Sequence, residues 1–400
     1  MVNMRIKRPI LNKLLEEFTR PEIVILLGAR QAGKTTLLKM LAEEAQRQGR
    51  KAAFFDLEQP QVIAGFNKSD GEIIEMIKNA GEVVFIDEFQ YIKNISKILK
   101  AIYDSGQPIK IFCSGSSSLE IHKHLKESMA GRRLIYRIYP LSFSELRNGI
   151  KELSLGEYLK FGGMPGLLTD GSEERKQKIL SELLASYILK DARALIKEEN
   201  VRAFNHLLYL MAEKQGSIIS VNSLSREIGL SPKAINRYLD ILEETYINYR
   251  LHSYSRNLGN ELKKSVKTYL YDIGIRNTLL KDFSSIDERD DKGTLFESAV
   301  FLKLFSELEP NMELKFWRTK DGAEVDFVIL KNRKPYPIEV KSNVNGSKIP
   351  PGMKRFLSKY KEVKTAYIVN NNLEKTENWE GREIIFVKLE NFLLRKFELS

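Results

Sequence analysis

The sequence predicts an α/β protein whose amino-terminal part is a parallel sheet with helices on both faces. Residues 1–170 contain five short apolar runs, and helical patterns separate the first four of them. Such runs are typical of strands buried on both faces, and the helical patterns supply the crossovers that parallel strands require. The predicted strands cover residues 23–27, 52–55, 83–86, 109–113 and 134–138.

The pattern changes three times in the rest of the chain. It becomes entirely helical, with an amphipathic stretch at 173–196, and then gives a short helix, a turn, a longer helix and strand-like stretches. After the polar stretch 281–292, which we interpret as a linker, the predicted elements are a helix at 295–304, strands at 315–318, 324–330 and 336–341, a second helix and two more strands. Because 400 residues exceed one hydrophobic core, four domains are predicted, at 1–170, 171–215, 216–280 and 293–400.

Composition limits the partners and the compartment. The net charge of +11 favours acidic partners, nucleic acid first, although a basic protein that is merely soluble is the alternative. The single cysteine, Cys113, excludes an internal disulfide and predicts a reducing compartment. The sequence has no apolar leader and no apolar run of about 20 residues, so we expect a cytoplasmic protein without a membrane partner.

A glycine-rich loop follows the first predicted strand. Residues 28–35, GARQAGKT, match the P-loop pattern G-x-x-x-x-G-K-[ST] between a strand and a helix. Its backbone N–H groups turn toward phosphates, Lys34 supplies a positive charge, and the Thr35 hydroxyl is a ligand for Mg²⁺. The predicted ATP-binding residues are Gly28, Ala29, Arg30, Gln31, Ala32, Gly33, Lys34, Thr35 and Thr36.

Two acids end the third predicted strand. Asp87 and Glu88 follow the apolar run 83–86, so they lie at the carboxyl edge of the sheet, where open α/β sheets bind ligands. We expect Asp87 to join the Mg²⁺ shell and Glu88 to orient and deprotonate the attacking water. A solvated acidic strand end is the alternative.

The order of these motifs resembles that of AAA+ ATPases. Strand 52–55 lies between the two motif strands in sequence, as in ATPases with an extra strand. In that group a polar residue that ends the next strand senses the γ-phosphate, which implies Ser114 here; a serine that caps a turn is the alternative. The resemblance also implies an arginine finger. Arg132 is the first candidate, Arg30 is the second, and a surface arginine at 132 is the alternative.

Four segments together resemble one family. It is a group of archaeal and bacterial AAA+-like ATPases, related to the archaeal STAND-type ATPases, that carry a carboxyl-terminal domain of unknown function. The resemblance covers nearly the whole chain and implies an ATPase core at 1–170 with a helical lid at 171–215. No role follows from the sequence for its third and fourth segments. The four segments are residues 8–10 (RPI), 28–36, 139–145 (YPLSFSE) and 161–166 (FGGMPG).

Residues 224–243 predict a helix–turn–helix. Gly229 suits the end of the first helix, Ser231 caps the second, and Pro232 takes its first position. The strand-like stretch 246–252 and the basic stretch 263–267 follow, as in a winged helix. The second helix buries Ile235, Leu239 and Leu242.

The opposite face of this second helix is polar. If the module binds DNA, Asn236 and Arg237 contact bases or phosphates, with Lys233 beside them. Winged helices in ATPases also pack against the nucleotide domain, so a packing role is the alternative. The stretch 267–274 that follows matches a segment of the resembling family and is interpreted as structural.

The carboxyl-terminal region places acids on adjoining strands. Asp326 lies on one strand, Glu339 and Lys341 share a face of the next, and Glu297 lies in an otherwise apolar helix. This set resembles the PD-(D/E)xK constellation of restriction-endonuclease-like folds. The acids predict a Mg²⁺ or Mn²⁺ site beside Lys341, which would activate water. A salt-bridged surface hairpin is the alternative.

The leading interpretation is an ATP-hydrolysing, DNA-associated switch with a nuclease-like effector domain. The alternative is a regulatory nucleotide-binding protein whose last domain only binds nucleic acid or protein. The two differ in a structural expectation. A nuclease brings Glu297, Asp326, Glu339 and Lys341 around one metal-sized space, whereas a binding module leaves them scattered or salt-bridged. Partners are ATP, DNA and other proteins, with oligomers compatible with the class.

Overall fold

The structure, a computed structural model, describes residues 6–115, 129–167, 171–186, 196, 201–255 and 266–397. Two compact units make up the chain. The first contains Met1–Pro140 with Glu244–Tyr246, and the second contains Leu141–Glu243 with Ile247–Ser400. In the described ranges no helix is both long and apolar enough to cross a membrane.

The first unit is built on a five-stranded parallel sheet in the order β2-β3-β4-β1-β5. Every residue of β1, β3 and β4 is buried, because helices cover the sheet. This confirms the predicted α/β class and all five predicted strands. The strands are β1 (Ile23–Gly28), β2 (Ala52–Asp56), β3 (Val83–Asp87), β4 (Lys110–Gly115) and β5 (Arg133–Ile138).

Five described helices flank this sheet. Ser69 caps one of them by accepting from the Glu72 N–H, while the Glu72 carboxylate accepts from the Ser69 N–H, so both orphan donors are satisfied. Lys34 of the P-loop is the first residue of another of these helices. The helices are α1 (Pro9–Glu16), α2 (Lys34–Arg47), α3 (Pro60–Gly65), α4 (Asp70–Ala80) and α5 (Ile95–Asp104).

The second unit begins with helices and a small antiparallel sheet in the order β6-β8-β7. The predicted amphipathic stretch 173–196 is described as a helix only over its first part, and 187–195 lie outside the described residues. The elements are α6 (Phe143–Gly149), α7 (Leu155–Phe161), α8 (Glu173–Ser186), α9 (Val201–Glu213), β6 (Ile218–Ile219), α10 (Val221–Ile228), α11 (Pro232–Glu244), β7 (Asn248–His252), β8 (Val266–Leu270) and α12 (Ile273–Leu280).

Helices α10 and α11 form the expected helix–turn–helix. Gly229 adopts φ 79° at the end of α10, and the Ser231 hydroxyl accepts from the Ala234 N–H at the start of α11. The predicted stripe of Ile235, Leu239 and Leu242 is buried. Of the predicted basic stretch, 263–265 lie outside the described residues.

A six-stranded mixed sheet forms the carboxyl-terminal part, in the order β13-β14-β12-β11-β10-β9. Its first five elements match the prediction, but three strands follow α14 rather than two. The additional strand is polar and exposed and lacks the apolar alternation on which a strand prediction depends. The elements are α13 (Lys292–Ser306), β9 (Met312–Arg318), β10 (Glu324–Lys331), β11 (Lys334–Val340), α14 (Pro351–Lys359), β12 (Thr365–Asn370), β13 (Lys375–Trp379), β14 (Arg382–Lys388) and α15 (Leu389–Leu394).

The stretch 281–292 is an ordered connection rather than a polar linker. Arg289 is buried, its Nε lies 2.7 Å from Asp291 Oδ1, and its Nη1 donates to Asp282 O at 2.7 Å. Asp291 also accepts from Arg276 at 2.7 Å. Because these charges satisfy one another, a segment that is polar in sequence is fixed in place.

Two segments to which the sequence assigned no chemistry hold the second unit together. The Gly163 N–H donates to the buried Asp272 carboxylate at 2.8 Å, and its carbonyl accepts from Leu141 N at 2.7 Å. A Cβ at Gly163 would lie 2.0 Å from the Leu141 oxygen, so no side chain fits. Burial raises the pKa of Asp272 to about 6, and three backbone hydrogen bonds counter that rise.

We predict that Gly163→Ala lowers the free energy of unfolding by about 2 kcal/mol or more, because the new methyl group overlaps a backbone carbonyl. Urea unfolding followed by circular dichroism measures the change. Gly171→Ala is the control, since a Cβ there meets nothing within 4 Å. Equal midpoints for the two variants would contradict the close approach described here.

Candidate functional site

The P-loop connects β1 to α2 through two residues with positive φ. Gln31 has φ 58° and Gly33 has φ 92°. Gly28 passes so close to β5 that a Cβ would lie 2.0 Å from Ile138 O. These positions give the loop the tight curl that turns its N–H groups toward one point.

Lys34 lies inside this curl. Its Nζ donates to Gly28 O at 3.1 Å and to Ala29 O at 2.9 Å, and the residue is only 4% exposed. Phosphate oxygens are stronger acceptors than carbonyls for an ammonium. The lysine is therefore already held where a bound triphosphate would meet it.

Arg8 supports the loop from outside. Its two terminal nitrogens donate to Ala32 O and to Tyr139 O, each at 3.0 Å. Arg8 and Tyr139 belong to two of the four segments that resemble the family, 8–10 and 139–145. The planar guanidinium of Arg8 joins the P-loop to the residue that follows β5, and this fixes the loop against the sheet.

The predicted partners of the loop meet at the same edge. The Ser114 hydroxyl donates to Asp87 Oδ1, and the Thr35 hydroxyl also hydrogen-bonds to Asp87. Burial raises the pKa of Asp87 above its usual value, and the two hydroxyl groups counter that rise. Ser114 and Asp87 come together because of the strand order: β4, which carries Ser114, lies between β1 and β3.

Glu88 follows directly and is also buried. Its backbone is left-handed, with φ 55°, which turns the chain sharply after β3. Gln90 Nε2 donates to Glu88 Oε2. The left-handed backbone and the Gln90 amide together position Glu88 beside Asp87. Gln90 was not predicted from the sequence to belong to this site.

The arginine candidates lie elsewhere. Arg132 pairs with Asp104 at 2.6 Å and precedes β5, whereas the phosphate edge is where β5 ends, about 20 Å away at about 3.3 Å per residue. The structure therefore does not bring Arg132 to the P-loop of its own sheet. Arg30 extends from the loop to Glu58, at 3.4 Å.

These residues fit MgATP. Thr35 and Asp87 would provide two neighbouring hard oxygens, which Mg²⁺ prefers, and the buried Asp87 carboxylate accepts from the Ser114 and Thr35 hydroxyl groups. Lys34 and the loop N–H groups would contact the phosphates. Thr36 lies on the exposed side of α2.

The carboxyl-terminal acids converge, but around a lysine. Lys267 Nζ, from β8, lies 2.6 Å from Glu324 Oε1, 3.1 Å from Glu297 Oε1 and 3.6 Å from Asp326 Oδ1. We call Lys267 with Glu297, Glu324 and Asp326 the lysine-centred cluster. Neither Lys267 nor Glu324 was predicted to belong to this site.

Glu339 and Lys341 border the cluster. Asp326 accepts from the Val340 N–H at 2.8 Å, and Lys341 Nζ lies 2.7 Å from Glu339 Oε1. Burial, and after it the charge of Asp326, raises the pKa of Glu339 to about 8. Burial and Asp326 likewise raise the pKa of Glu297 to about 7.

A bulge in β10 brings Asp326 to this place. The pairing of β10 with β9 shifts by one residue between Val325 and Val328, so that Asp326 lies at the irregularity. On its other side β10 pairs with β11, and Phe327 lies opposite Ile338. The same register puts Asp326 opposite Glu339, as expected from the sequence.

The arrangement does not fit the predicted divalent site. Among the described residues, no group of three or more His, Cys, Asp or Glu side chains is placed to hold a metal ion. The ammonium of Lys267 lies among the acids instead. The expectation that the three predicted carboxylates share one divalent ion is therefore not met.

The predicted DNA face of α11 is exposed. Lys233, Asn236 and Arg237 all lie on the outer side of the helix. Asp240 and Glu243, which would repel phosphate, both pair with Arg250 of β7 at 2.6 Å. This pairing offsets part of the negative charge next to the basic side chains.

Three family matches cover the chain in succession. Residues 20–147 match the family described as the AAA domain. Residues 152–285 and 292–391 match two families described as domains of unknown function, DUF8612 and DUF4143. Together with the loop and the sheet order, the first match makes this part of the chain an AAA-type P-loop ATPase domain.

Relatives extend over most of the chain. An uncharacterised protein of Mycobacterium tuberculosis is 25% identical over 84% of this chain and 74% of its own length. The endonuclease NucS of Corynebacterium glutamicum is 27% identical over 33% of this chain and 56% of its own length. A solved structure of the replication initiator DnaA bound to AMPPCP and single-stranded DNA covers 59% of this chain and 86% of that chain. Its identity of 15% and TM-score of 0.32 support no statement about function.

We predict that Ser114→Ala weakens Mg²⁺-dependent nucleotide binding about 10-fold or more, as losses of a hydrogen bond to a metal ligand commonly do. Titration of Mg²⁺ against a fluorescent ATP analogue measures the effect. Ser105→Ala is the control, because Ser105 follows α5 near the opposite edge of the sheet and donates to Ile102 O. Unchanged Mg²⁺ dependence in Ser114→Ala would count against the role of this serine.

Proposed function

We propose that the protein binds MgATP through residues 28–36 and hydrolyses it. The observation that carries this proposal is the single edge at which Asp87 accepts from both Ser114 and Thr35, with Glu88 directly after it. Lys34, held within the loop, exchanges its carbonyl acceptors for phosphate oxygens when the nucleotide binds. Thr35 and Asp87 would hold Mg²⁺, which neutralises phosphate charge.

Glu88 is the base of the reaction. It takes a proton from a water molecule, the water oxygen attacks the γ-phosphorus, and the bond to the bridging oxygen breaks to give ADP and phosphate. Gln90 donates to the Glu88 carboxylate, which orients it before the nucleotide binds. Arg132, paired with Asp104 at the far end of β5, serves as an arginine finger only if it acts on a second copy of the chain.

DNA is the partner of the middle module, which acts as a winged helix. Its exposed face carries Lys233, Asn236 and Arg237, while Arg250 pairs with the two neighbouring acids and offsets part of their charge. The net charge of +11 adds a general attraction to phosphates. ATP turnover drives conformational changes in which DNA is held and released.

The carboxyl-terminal domain is a binding module rather than a nuclease. Its predicted acids are ion-paired with Lys267 and Lys341, which was the expectation for a non-catalytic domain. The second candidate, cleavage of DNA, is favoured by the convergence of Glu297, Asp326 and Glu339 on one place and by the partial similarity to NucS.

For the nucleotide site, we predict that Lys34→Ala abolishes tight ATP binding and that Glu88→Gln binds ATP but stalls turnover. The reason is that Lys34 contacts phosphate, whereas Glu88 acts only on water. Isothermal titration with ATP and a phosphate-release assay separate the two effects. Hydrolysis by Glu88→Gln at a rate comparable to that of the wild type would contradict the assignment of Glu88 as the base.

For DNA, we predict binding that weakens steeply as salt rises, because phosphate contacts release counterions. Lys233→Ala should reduce the salt slope by about 1, and Asn236→Ala and Arg237→Ala should weaken binding further. Fluorescence anisotropy at several salt concentrations measures this. Lys354→Ala, an exposed lysine of α14, is the charge-matched control. If no form of DNA binds at low salt, the module has only a packing role.

A further inference from the structure

The lysine at the centre of the acidic cluster comes from a different part of the second unit. Lys267 lies on β8, the middle strand of the small sheet, between Ile218 of β6 and Leu251 of β7. The residue is only 1% exposed. A lysine this deeply buried is rare unless its charge is paired.

The alternation of β8 directs two side chains at the same carboxylate. Lys267 and Tyr269 are two residues apart and so share a face of the strand. The Tyr269 hydroxyl donates to Glu297 Oε1 at 2.5 Å, and Lys267 Nζ lies 3.1 Å from the same oxygen. The ring of Tyr269 stacks on Phe301, one turn from Glu297 on α13, at 4.3 Å between centroids. Two donors on an apolar support thus fix the Glu297 side chain.

The acids of the cluster keep the buried Lys267 side chain positively charged. Burial opposes a charge on Lys267, yet Glu297, Asp326 and Glu324 together hold the pKa of Lys267 above its usual value. The ring of Phe316, centred 5.6 Å from Nζ, covers another side of the ammonium. A divalent ion would need the same carboxylate oxygens at about 2.0–2.6 Å, in space that the ammonium already fills.

We propose that Lys267 is the resident cation of this cluster, so that the folded protein binds no divalent ion there and the ion pairs fasten β8 to α13 and β10. The proposal goes beyond the ATPase and DNA functions and does not rest on either. The acids resemble the PD-(D/E)xK constellation, in which a metal ion would lie among the carboxylates. In this protein the ammonium of Lys267 takes that position. The proposal also makes Lys267 a positioning residue of a binding module.

Mn²⁺ binding to the nucleotide-free full chain tests this directly, with free Mn²⁺ followed by electron paramagnetic resonance. We expect the wild type and Asp326→Asn to bind Mn²⁺ equally weakly, because the ammonium of Lys267 already fills the space among the carboxylates. If Asp326→Asn does not fold, Glu324→Gln takes its place, since Glu324 is more exposed and bears the shortest contact with Lys267. Binding by the wild type that is lost in either variant would overturn the proposal.

Removal of the lysine should create the missing site. We expect Lys267→Met to bind Mn²⁺ about 10-fold more tightly than the wild type, because the vacated carboxylates then lack a cation. The gain should disappear in Lys267→Met/Asp326→Asn. Lys341→Met is the matched control, because Lys341 pairs with Glu339 at the border of the cluster and its side chain is 43% exposed.

Thermal unfolding gives a readout that is independent of binding assays. Lys267→Met should lower Tm by about 10 °C, since it leaves buried carboxylates unpaired, and Mn²⁺ should recover part of that loss. Mn²⁺ should not raise the Tm of the wild type. If Lys267→Met gains no Mn²⁺ site and no Mn²⁺-dependent stability, or if Lys341→Met gains an equal site, Lys267 is not the resident cation.

Discussion

A buried carboxylate needs either a cation or hydrogen-bond donors, and this requirement governs both candidate sites of the protein. At the P-loop, Asp87 receives hydroxyl donors from Ser114 and Thr35, and in the proposed function a magnesium ion would balance the charge of this carboxylate. In the carboxyl-terminal sheet, Lys267 supplies a cation from within the chain to three of the acids. The first solution suits a site that exchanges a ligand. The second suits a permanent junction between two parts of one unit.

The order of the strands determines what the P-loop meets. Because β4 lies between β1 and β3, the serine at the end of β4 reaches the aspartate at the end of β3 while remaining beside the loop. All five strands are parallel, so every side chain at a strand end lies at one edge and every side chain at a strand start lies at the other. This rule gathers Asp87, Glu88 and Ser114, and it also removes Arg132 from their neighbourhood.

The stretch from β8 to α12 contributes more to the second unit than its sequence indicates. Lys267 and Tyr269 contact Glu297 on one side, and a few residues later Asp272 accepts from Gly163 while Asn277 donates to Leu159 O. One short segment therefore fastens both α7 and α13. This explains why a stretch that is interpreted as structural in the sequence contains so many buried polar side chains.

The sequence by itself determined the parallel sheet, the P-loop, the acids after β3 and the helix–turn–helix, because each is a contiguous motif or a local period, whereas Ser114 followed only from the resemblance to AAA+ ATPases. It also predicted that Asp326 and Glu339 meet, since a short hairpin fixes their register. Only the tertiary structure decided what neutralises them. Lys267 is 30 residues from Glu297 along the chain, and no local pattern indicates which buried lysine meets which buried acid. Ion pairs of this kind form only after separate elements pack, so the identity of the cation was settled by packing.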